Sequence, residues 1–265
     1  AEKVRKAKFD LDQGEIAQYF ELNNMLEAKF YVAEQLFGLT FHERTDIPVY
    51  NPVVRVWEVK DANGNAVGLF YGDYYARSTK RSGAWMSAFR TQEKLSGNVK
   101  PIIINNMNLN QPAEGEPTLM SYSDAVTLFH EFGHGLHHML TQVDAAAVAG
   151  INGVPWDAVE LPSQFLENWC YESEALAFIS GHYETDEPLP QALLEKLLAA
   201  KNYQSAMQMV RQLEFSLFDF HIHADYDPEK GSEIQSILDN VRQQVSVIQP
   251  PSFNRFQHGF SHIFA

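Results

Sequence analysis

Hydrophobic and polar positions in the first half of the chain predict a helical lead-in followed by a small β-sheet. In residues 14–37 the apolar positions recur at helical spacing, and Gly38 is a typical C-cap residue. From residue 53 the apolar positions alternate, and the Asn-Gly turn in DANGNA separates two such runs, which is typical of a β-hairpin. The strand candidates are VVRVWEV (53–59), VGLFYGDYYA (67–76), GAWMSAF (83–89) and KPIIINNMNL (100–109). We therefore expect helices within 1–50 and one sheet within 51–110.

From Pro117 onward the apolar positions have helical spacing. Ser123 or Asp124 can cap a helix that contains TLFHEFGHGLHHML, residues 127–140. A loop rich in Gly and Pro follows over 150–163. After it we predict helices over 164–181, 189–200, 202–225 and 231–247. The predicted fold class is α+β, predominantly helical, with a helical part over 117–265 and one small β-sheet.

Composition and charge exclude several classes of protein. The net charge of −14 would repel a phosphate backbone, and no basic stripe reverses it, so nucleic acid is not an expected partner. No run of eighteen apolar residues indicates a membrane span, and the N-terminal AEKVRKAKFD lacks the apolar region of a signal peptide. With 265 residues, 45% of them hydrophobic, the chain can bury the core of one large domain or two small ones.

The single cysteine, Cys170, rules out an internal disulfide and suits a reducing compartment, so we predict a cytoplasmic location. Its neighbours in ENWCYESEALAF are largely apolar. This context favours a small buried side chain over a nucleophile.

Residues 130–134 read HEFGH, which is an HExxH motif. On a helix, His130 and His134 lie on one face a turn apart, so both imidazoles can bind one metal ion, and Glu131 is close enough to contact a water on that ion. This is the residue set of a zinc hydrolase with a carboxylate base. Apolar neighbours bury the helix, and buried histidines need partners, which a metal supplies. We predict one Zn²⁺ per chain; cobalt and manganese fit the same ligands.

The third protein ligand must come from further along the chain. Glu160 begins the helix after the loop and is the preferred candidate, whereas Glu167 competes with it or hydrogen-bonds a ligating imidazole instead. His137 and His138 extend the histidine cluster, and His138 shares the face of the two ligands. Because a catalytic zinc takes three protein ligands and usually finds the third elsewhere, we interpret both as neighbouring or surface residues rather than accessory ligands.

HEFGH followed by VELPSQFLENW resembles the zinc site of the thimet oligopeptidase family of zinc metallopeptidases. The similarity extends from GLFYGDYYARSTKRSGAW to FSHIFA, so it covers most of the chain. It implies a zincin-like active-site helix, zinc ligation by His130, His134 and Glu160, and Glu131 as the general base. It also implies that His262 faces the active site and binds substrate or the oxyanion. From the residues alone, His258 and His262 read as ordinary tail residues.

The resemblance further implies that residues 1–265 are a central piece of the family's catalytic domain. Family members are longer on the N-terminal side and continue past Ala265 into a glycine-rich loop and a tyrosine cluster. The expected function is zinc-dependent hydrolysis of short peptides. GAWMSAF is either the edge strand to which the substrate backbone pairs or an ordinary interior strand. Two alternatives stay open: a truncated remnant that binds metal or peptide without turnover, and a metal-storage protein that uses the wider histidine cluster. Oligomeric state is not indicated.

Overall fold

The computed structural model of the chain describes residues 2–231, 233–260 and 263. Contacts between residues divide the chain into two compact units, Ala1–Leu198 and Ala199–Ala265. The first unit contains the sheet and the HEFGH helix. The prediction that 1–265 is one piece of a catalytic domain stays a prediction.

Three helices open the first unit: α1 (Glu2–Phe9), α2 (Gln13–Ala17) and α3 (Leu22–Phe37). The predicted single helix over 14–37 is wrong, because the chain leaves the helix at Phe20 and Glu21 to form backbone bridges with Gly181 and Leu119. The Glu21 side chain then accepts the amide of residue 23 at 2.7 Å and so caps α3. The helix ends, as predicted, at Gly38, whose φ of 67° a glycine adopts without strain.

The sheet has five strands: β1 (Thr40–Glu43), β2 (Arg55–Lys60), β3 (Ala66–Tyr75), β4 (Trp85–Arg90) and β5 (Ile102–Leu109). Their order in the sheet is β1-β2-β3-β5-β4. All neighbours are antiparallel except β3 and β5, which are parallel. The predicted hairpin is present, with Trp57 opposite Phe70. Strand β1 lies before residue 51, in the segment that was predicted to be helical.

The long helix α4 (Tyr122–Met139) packs against this sheet through an aromatic cluster. Phe132 lies edge-to-face on Phe70 of β3 and on Phe30 of α3, with ring centroids 5.6 and 5.9 Å apart. Phe70 and Phe132 are fully buried, which contributes about 1.5–3 kcal/mol each. The N-cap of α4 is Ser121 rather than the predicted Ser123 or Asp124, because Ser121 and Asp124 form a reciprocal capping box.

Lys29 of α3 is fully buried against the same cluster. Its Nζ donates to the Tyr74 hydroxyl at 2.9 Å and lies 4.6 and 4.7 Å from the ring centroids of Phe70 and Phe132. Burial lowers the pKa of Lys29 well below its usual value. The aromatic faces attract a cation by only about 0.5–2 kcal/mol. Removing an ammonium from water costs several kcal/mol, so burial decides the direction.

A buried ionic cluster fixes the segment between β3 and β4. Asp73 accepts two hydrogen bonds of 2.7 Å from the Arg77 guanidinium, one of 2.9 Å from the Tyr50 hydroxyl and one of 3.1 Å from Lys80. Burial alone would raise the pKa of Asp73, but these donors hold it below its usual value. Both Asp73 and Lys80 are almost fully buried, so each requires the other.

The segment that follows α4 contains two short helices where one long helix was predicted. The expected helix over 164–181 is wrong: α5 ends at Glu167, a 3₁₀ turn follows, and the backbone of Glu172 is extended. The Tyr122 hydroxyl donates to the carbonyl of Cys170 at this break. The elements are α5 (Leu161–Glu167), α6 (Ser173–Ile179), α7 (Gln191–Ala200), α8 (Ser205–Ala224) and α9 (Ile234–Val245).

The second unit packs α8 against α9 around Phe218, Ile222 and Leu238. Glu214 of α8 accepts a 2.9 Å hydrogen bond from Arg242 of α9, and both side chains are buried. The predicted α+β, mainly helical fold class is confirmed. In the part of the chain that the structure describes, no helix combines the length and apolar character needed to cross a membrane.

Candidate metal centre and active site

The structure brings together the three residues that the sequence predicted as metal ligands. His130 and His134 lie one turn apart on α4, with ring centroids 5.0 Å apart. Glu160 directly precedes α5, and its Oε2 lies 3.2 Å from His130 Nε2 and 3.0 Å from His134 Nε2. One donor atom from each residue lies within 4.8 Å of the other two. A set this compact can bind a single ion.

A close helix contact places Glu160 beside the histidines. Gly133 lies between the two ligands on α4, and a Cβ built there would be 2.4 Å from the Pro162 carbonyl oxygen and 2.6 Å from Ser163 Cα. No other residue type leaves this space free. The glycine of HEFGH therefore allows the backbone of α5 to rest directly on α4.

Two hydrogen bonds orient the ligands. The buried Ser163 hydroxyl donates to Glu160 Oε2 at 2.6 Å, and Glu167 Oε1 lies 2.6 Å from His130 Nδ1. The second contact is the bond predicted for Glu167 if it is not itself a ligand. It directs the other ring nitrogen, Nε2, toward the ion site. The sequence predicts no role for Ser163, because a serine three residues after a glutamate is no motif by itself.

The donor set suits zinc. Two imidazole nitrogens and one carboxylate oxygen are the protein ligands of many catalytic zinc sites, which keep a further position open. His134 is buried, whereas the Glu160 side chain is 47% exposed, so one side of the set faces solvent. Burial lowers the pKa of His134 and so favours the neutral imidazole that binds metal.

Glu131 lies next to the ligands and against the edge strand β4. It is buried, and the backbone N–H of Met86 lies near enough to its carboxylate to lower its pKa. Burial raises the pKa of Glu131 to about 7, although the neighbouring charges of His130 and Arg81 lower it. Its carboxylate is therefore a stronger base than that of an exposed glutamate.

The other predicted residues are distributed as follows. His138 is fully buried and accepts the Ile151 N–H at 3.2 Å, and burial lowers its pKa to about 4. It lies outside the compact donor set, in agreement with its interpretation as a neighbour of the site. Cys170 is buried, as expected, and burial raises its pKa. His258 is exposed in a 3₁₀ turn of the second unit. His262 lies outside the described residues, and its predicted catalytic role stays a prediction.

Comparison with known proteins adds to this geometry. The model of Peptidase family M3 matches residues 1–265. The chain is 51% identical to Oligopeptidase A of Salmonella typhimurium and to Oligopeptidase A of Escherichia coli, and 40% identical to Dipeptidyl carboxypeptidase of Escherichia coli. Each match covers the whole chain and 39% of the relative's length. The resemblance seen in HEFGH and VELPSQFLENW is thus confirmed, and the chain belongs to peptidase family M3.

Proposed function

We propose that this chain carries the centre of a zinc-dependent, HExxH-type metallopeptidase that hydrolyses short peptides in the cytoplasm. His130, His134 and Glu160 bind the ion, and Glu131 is the general base. One observation carries the proposal. Donor atoms of His130, His134 and Glu160 converge on one point, and the buried carboxylate of Glu131 lies beside them on α4. The names of the relatives, oligopeptidase A and dipeptidyl carboxypeptidase, support peptides as the substrate class.

Each residue of the centre has a defined task in this reaction. A zinc ion on the three ligands would polarise the scissile carbonyl and make water more acidic. Glu131 takes the proton of the attacking water and delivers it to the departing amine. Glu167 holds the His130 ring through Nδ1, and Ser163 holds the carboxylate of Glu160. These contacts keep the ligand atoms fixed before substrate arrives.

Strand β4 supports a site for the substrate backbone. It is an edge strand of the sheet, as the sequence predicted, and among the described strands only β5 pairs with it. The backbone of its residue Met86 lies near the carboxylate of Glu131. A peptide added along this edge would bring its backbone past Glu131. Main-chain pairing also tolerates varied side chains, which suits a broad peptide specificity.

The test measures turnover and zinc on the same sample. A quenched fluorescent peptide is incubated with the zinc-loaded chain, with and without a chelator, and bound zinc is determined. We expect chelator-sensitive hydrolysis at one zinc per chain. In Glu131→Gln we expect hydrolysis to fall by about 10²–10⁴-fold, the usual contribution of a general base, with zinc retained.

Glu174→Gln is the matched control, because it makes the same change at an exposed position on α6. It should leave turnover and zinc unchanged. Zinc without turnover would instead favour a metal-binding remnant, and more than one zinc per chain would favour storage. Absence of bound zinc would overturn the proposed centre.

A further inference from the structure

Arg81 lies in the short segment that leads from β3 into the edge strand β4. Its guanidinium carbon is 4.2 Å from the centroid of the Trp85 ring, and Trp85 is the first residue of β4. Its carbonyl oxygen accepts a 2.8 Å hydrogen bond from Asn108 Nδ2 on β5. Stacking and backbone contact together hold the charged group at the start of the edge strand.

The residue before Arg81 is fixed even more firmly. Lys80 Nζ donates to the carbonyl oxygens of Asp73, at 2.6 Å, and Tyr75, at 3.1 Å, in addition to its ion pair with the Asp73 carboxylate. The side chain of Lys80 is 2% exposed. The backbone that carries Arg81 is therefore anchored in the core, and a ligand would not have to order it first.

The guanidinium of Arg81 has no anionic partner among the residues that the structure describes. No described carboxylate oxygen lies within 4.0 Å of a guanidinium nitrogen of Arg81. In contrast, five other arginines pair with carboxylates, namely Arg44, Arg55, Arg77, Arg211 and Arg242. In a chain of net charge −14, an arginine without a carboxylate beside a reaction centre is available for an external anion.

Arg81 is also close to the reacting groups. The stacked Trp85 directly precedes Met86, whose backbone N–H lies beside the Glu131 carboxylate. A peptide that pairs antiparallel with β4, the commoner arrangement of strands, runs toward its own C-terminus as it approaches Trp85 and Arg81. The C-terminal part of the peptide would thus lie beside the guanidinium.

We propose that Arg81 determines specificity by binding a carboxylate in the C-terminal part of the peptide substrate. Guanidinium and carboxylate form short, charge-assisted and often bidentate hydrogen bonds, and stacking on an aromatic ring leaves the edge of the guanidinium free to donate them. The carboxylate is either the terminal one of a short peptide or an acidic side chain near that end. This inference rests on the proposed function, since it takes the substrate to lie along β4.

The experiment compares three peptides of one sequence: one with a free C-terminal carboxylate, one with a C-terminal amide, and one amide with Glu placed near the C-terminus. Binding is measured by fluorescence anisotropy on the zinc-loaded Glu131→Gln chain, so that no peptide is consumed. Hydrolysis of the same peptides is measured on the unsubstituted chain. Binding tests Arg81, whereas hydrolysis tests the proposed function.

We expect the free-carboxylate peptide to bind about ten-fold more tightly than the amide, as a charge-assisted hydrogen bond at a partly solvated site provides. Arg81→Gln should reduce this ratio to about one, and Arg81→Lys should restore part of it because the charge remains. Arg44→Gln removes the same charge at the opposite edge of the sheet, where Arg44 pairs with Asp46, and should leave the ratio unchanged.

The peptide with Glu identifies the source of the carboxylate. Binding that matches the free-carboxylate peptide indicates that Arg81 accepts an acidic side chain, and binding that matches the amide indicates terminal recognition. Equal affinities for all three peptides, or a ratio that survives Arg81→Gln, would overturn the inference. Hydrolysis without any preference among the peptides would support the proposed function and contradict the role of Arg81. A preference in binding without hydrolysis would support the role of Arg81 and contradict the proposed function. No binding of any peptide, together with no hydrolysis, would overturn both.

Discussion

Replacing Gly133 by Ala tests whether the contact between α4 and α5 creates the metal site. The new Cβ would lie 2.4 Å from the Pro162 carbonyl oxygen, and the atoms it meets belong to the backbone, which cannot rotate away. An ordinary C···O contact is about 3.3 Å, so the two helices must separate by about 1 Å. Metal–ligand distances tolerate about 0.2 Å. The shift would therefore take Glu160, two residues before Pro162, out of reach of the shared ion.

The cost to stability should be smaller than the cost to metal binding. Overpacking costs about 1–3 kcal/mol, and alanine regains about 1 kcal/mol over glycine in a helix. The free energy of unfolding of the metal-free chain should thus fall by about 2 kcal/mol or less. Zinc affinity should fall by at least about 10–100-fold, since even loss of an outer hydrogen bond has that effect and here a ligand moves. Competition with a chromogenic chelator measures the affinity, and urea denaturation measures the stability.

Gly135→Ala is the matched control on the same helix. There the new Cβ would meet only side-chain atoms, at 3.3 Å from Asn105 Oδ1 and 3.4 Å from Ile103 Cγ2, and these can adjust. We expect zinc affinity within about two-fold of the unsubstituted chain and a gain of up to about 1 kcal/mol in stability from helix propensity. The reasoning fails if Gly133→Ala binds zinc as tightly as Gly135→Ala does.

Three further predictions concern groups around the centre. Glu167→Gln should weaken zinc binding by about 10–100-fold in the chelator assay, because the His130 ring loses its charged partner. Since burial lowers the pKa of Lys29, the unfolded chain binds the extra proton between the two pKa values, and stability rises with pH there by about 1.4 kcal/mol per unit. Lys29→Met should remove this slope in urea denaturation over the pH range just below the ordinary lysine pKa of about 10.4; an unchanged slope would refute it. Asp73→Asn should cost about 3–5 kcal/mol in the same assay by leaving Lys80 buried without its anion, and a loss below about 1 kcal/mol would contradict that role.

The sequence predicted those features that depend on local spacing. The HExxH pair, the hairpin and the C-cap at Gly38 follow from helix period, strand alternation and backbone conformation, and all three are present. The breaks at Phe20 and after Glu167 could not be predicted in this way. Bridges to Gly181 and Leu119, residues distant in the chain, cause the first of them. Tertiary contacts override periodicity where a buried backbone group finds a partner outside its own helix.

The candidate site was predictable in its residue types but not in its support. His130, His134 and a following glutamate could be identified from chemistry, because few other residue sets bind zinc. Ser163 and Arg81 carry no motif, and their relevance depends on which groups the fold places beside them. Hydroxyl and guanidinium groups occur throughout the surface of proteins. Only the distances to Glu160 and to Trp85 set these two apart.

The five residues of HEFGH make four different contacts within the first unit, and this explains why the motif is compact. The two histidines meet Glu160, Glu131 meets the backbone of β4, Phe132 packs on the rings of the sheet and of α3, and the glycine receives α5. A helix turns about 100° per residue, so five successive positions cover its whole circumference. The ligands, the base, the hydrophobic anchor and the close helix contact are therefore fixed by one rigid element. Since a shift of α4 that repacked Phe132 would also move the ligand atoms, the precision of the centre depends on the packing of the core beneath it.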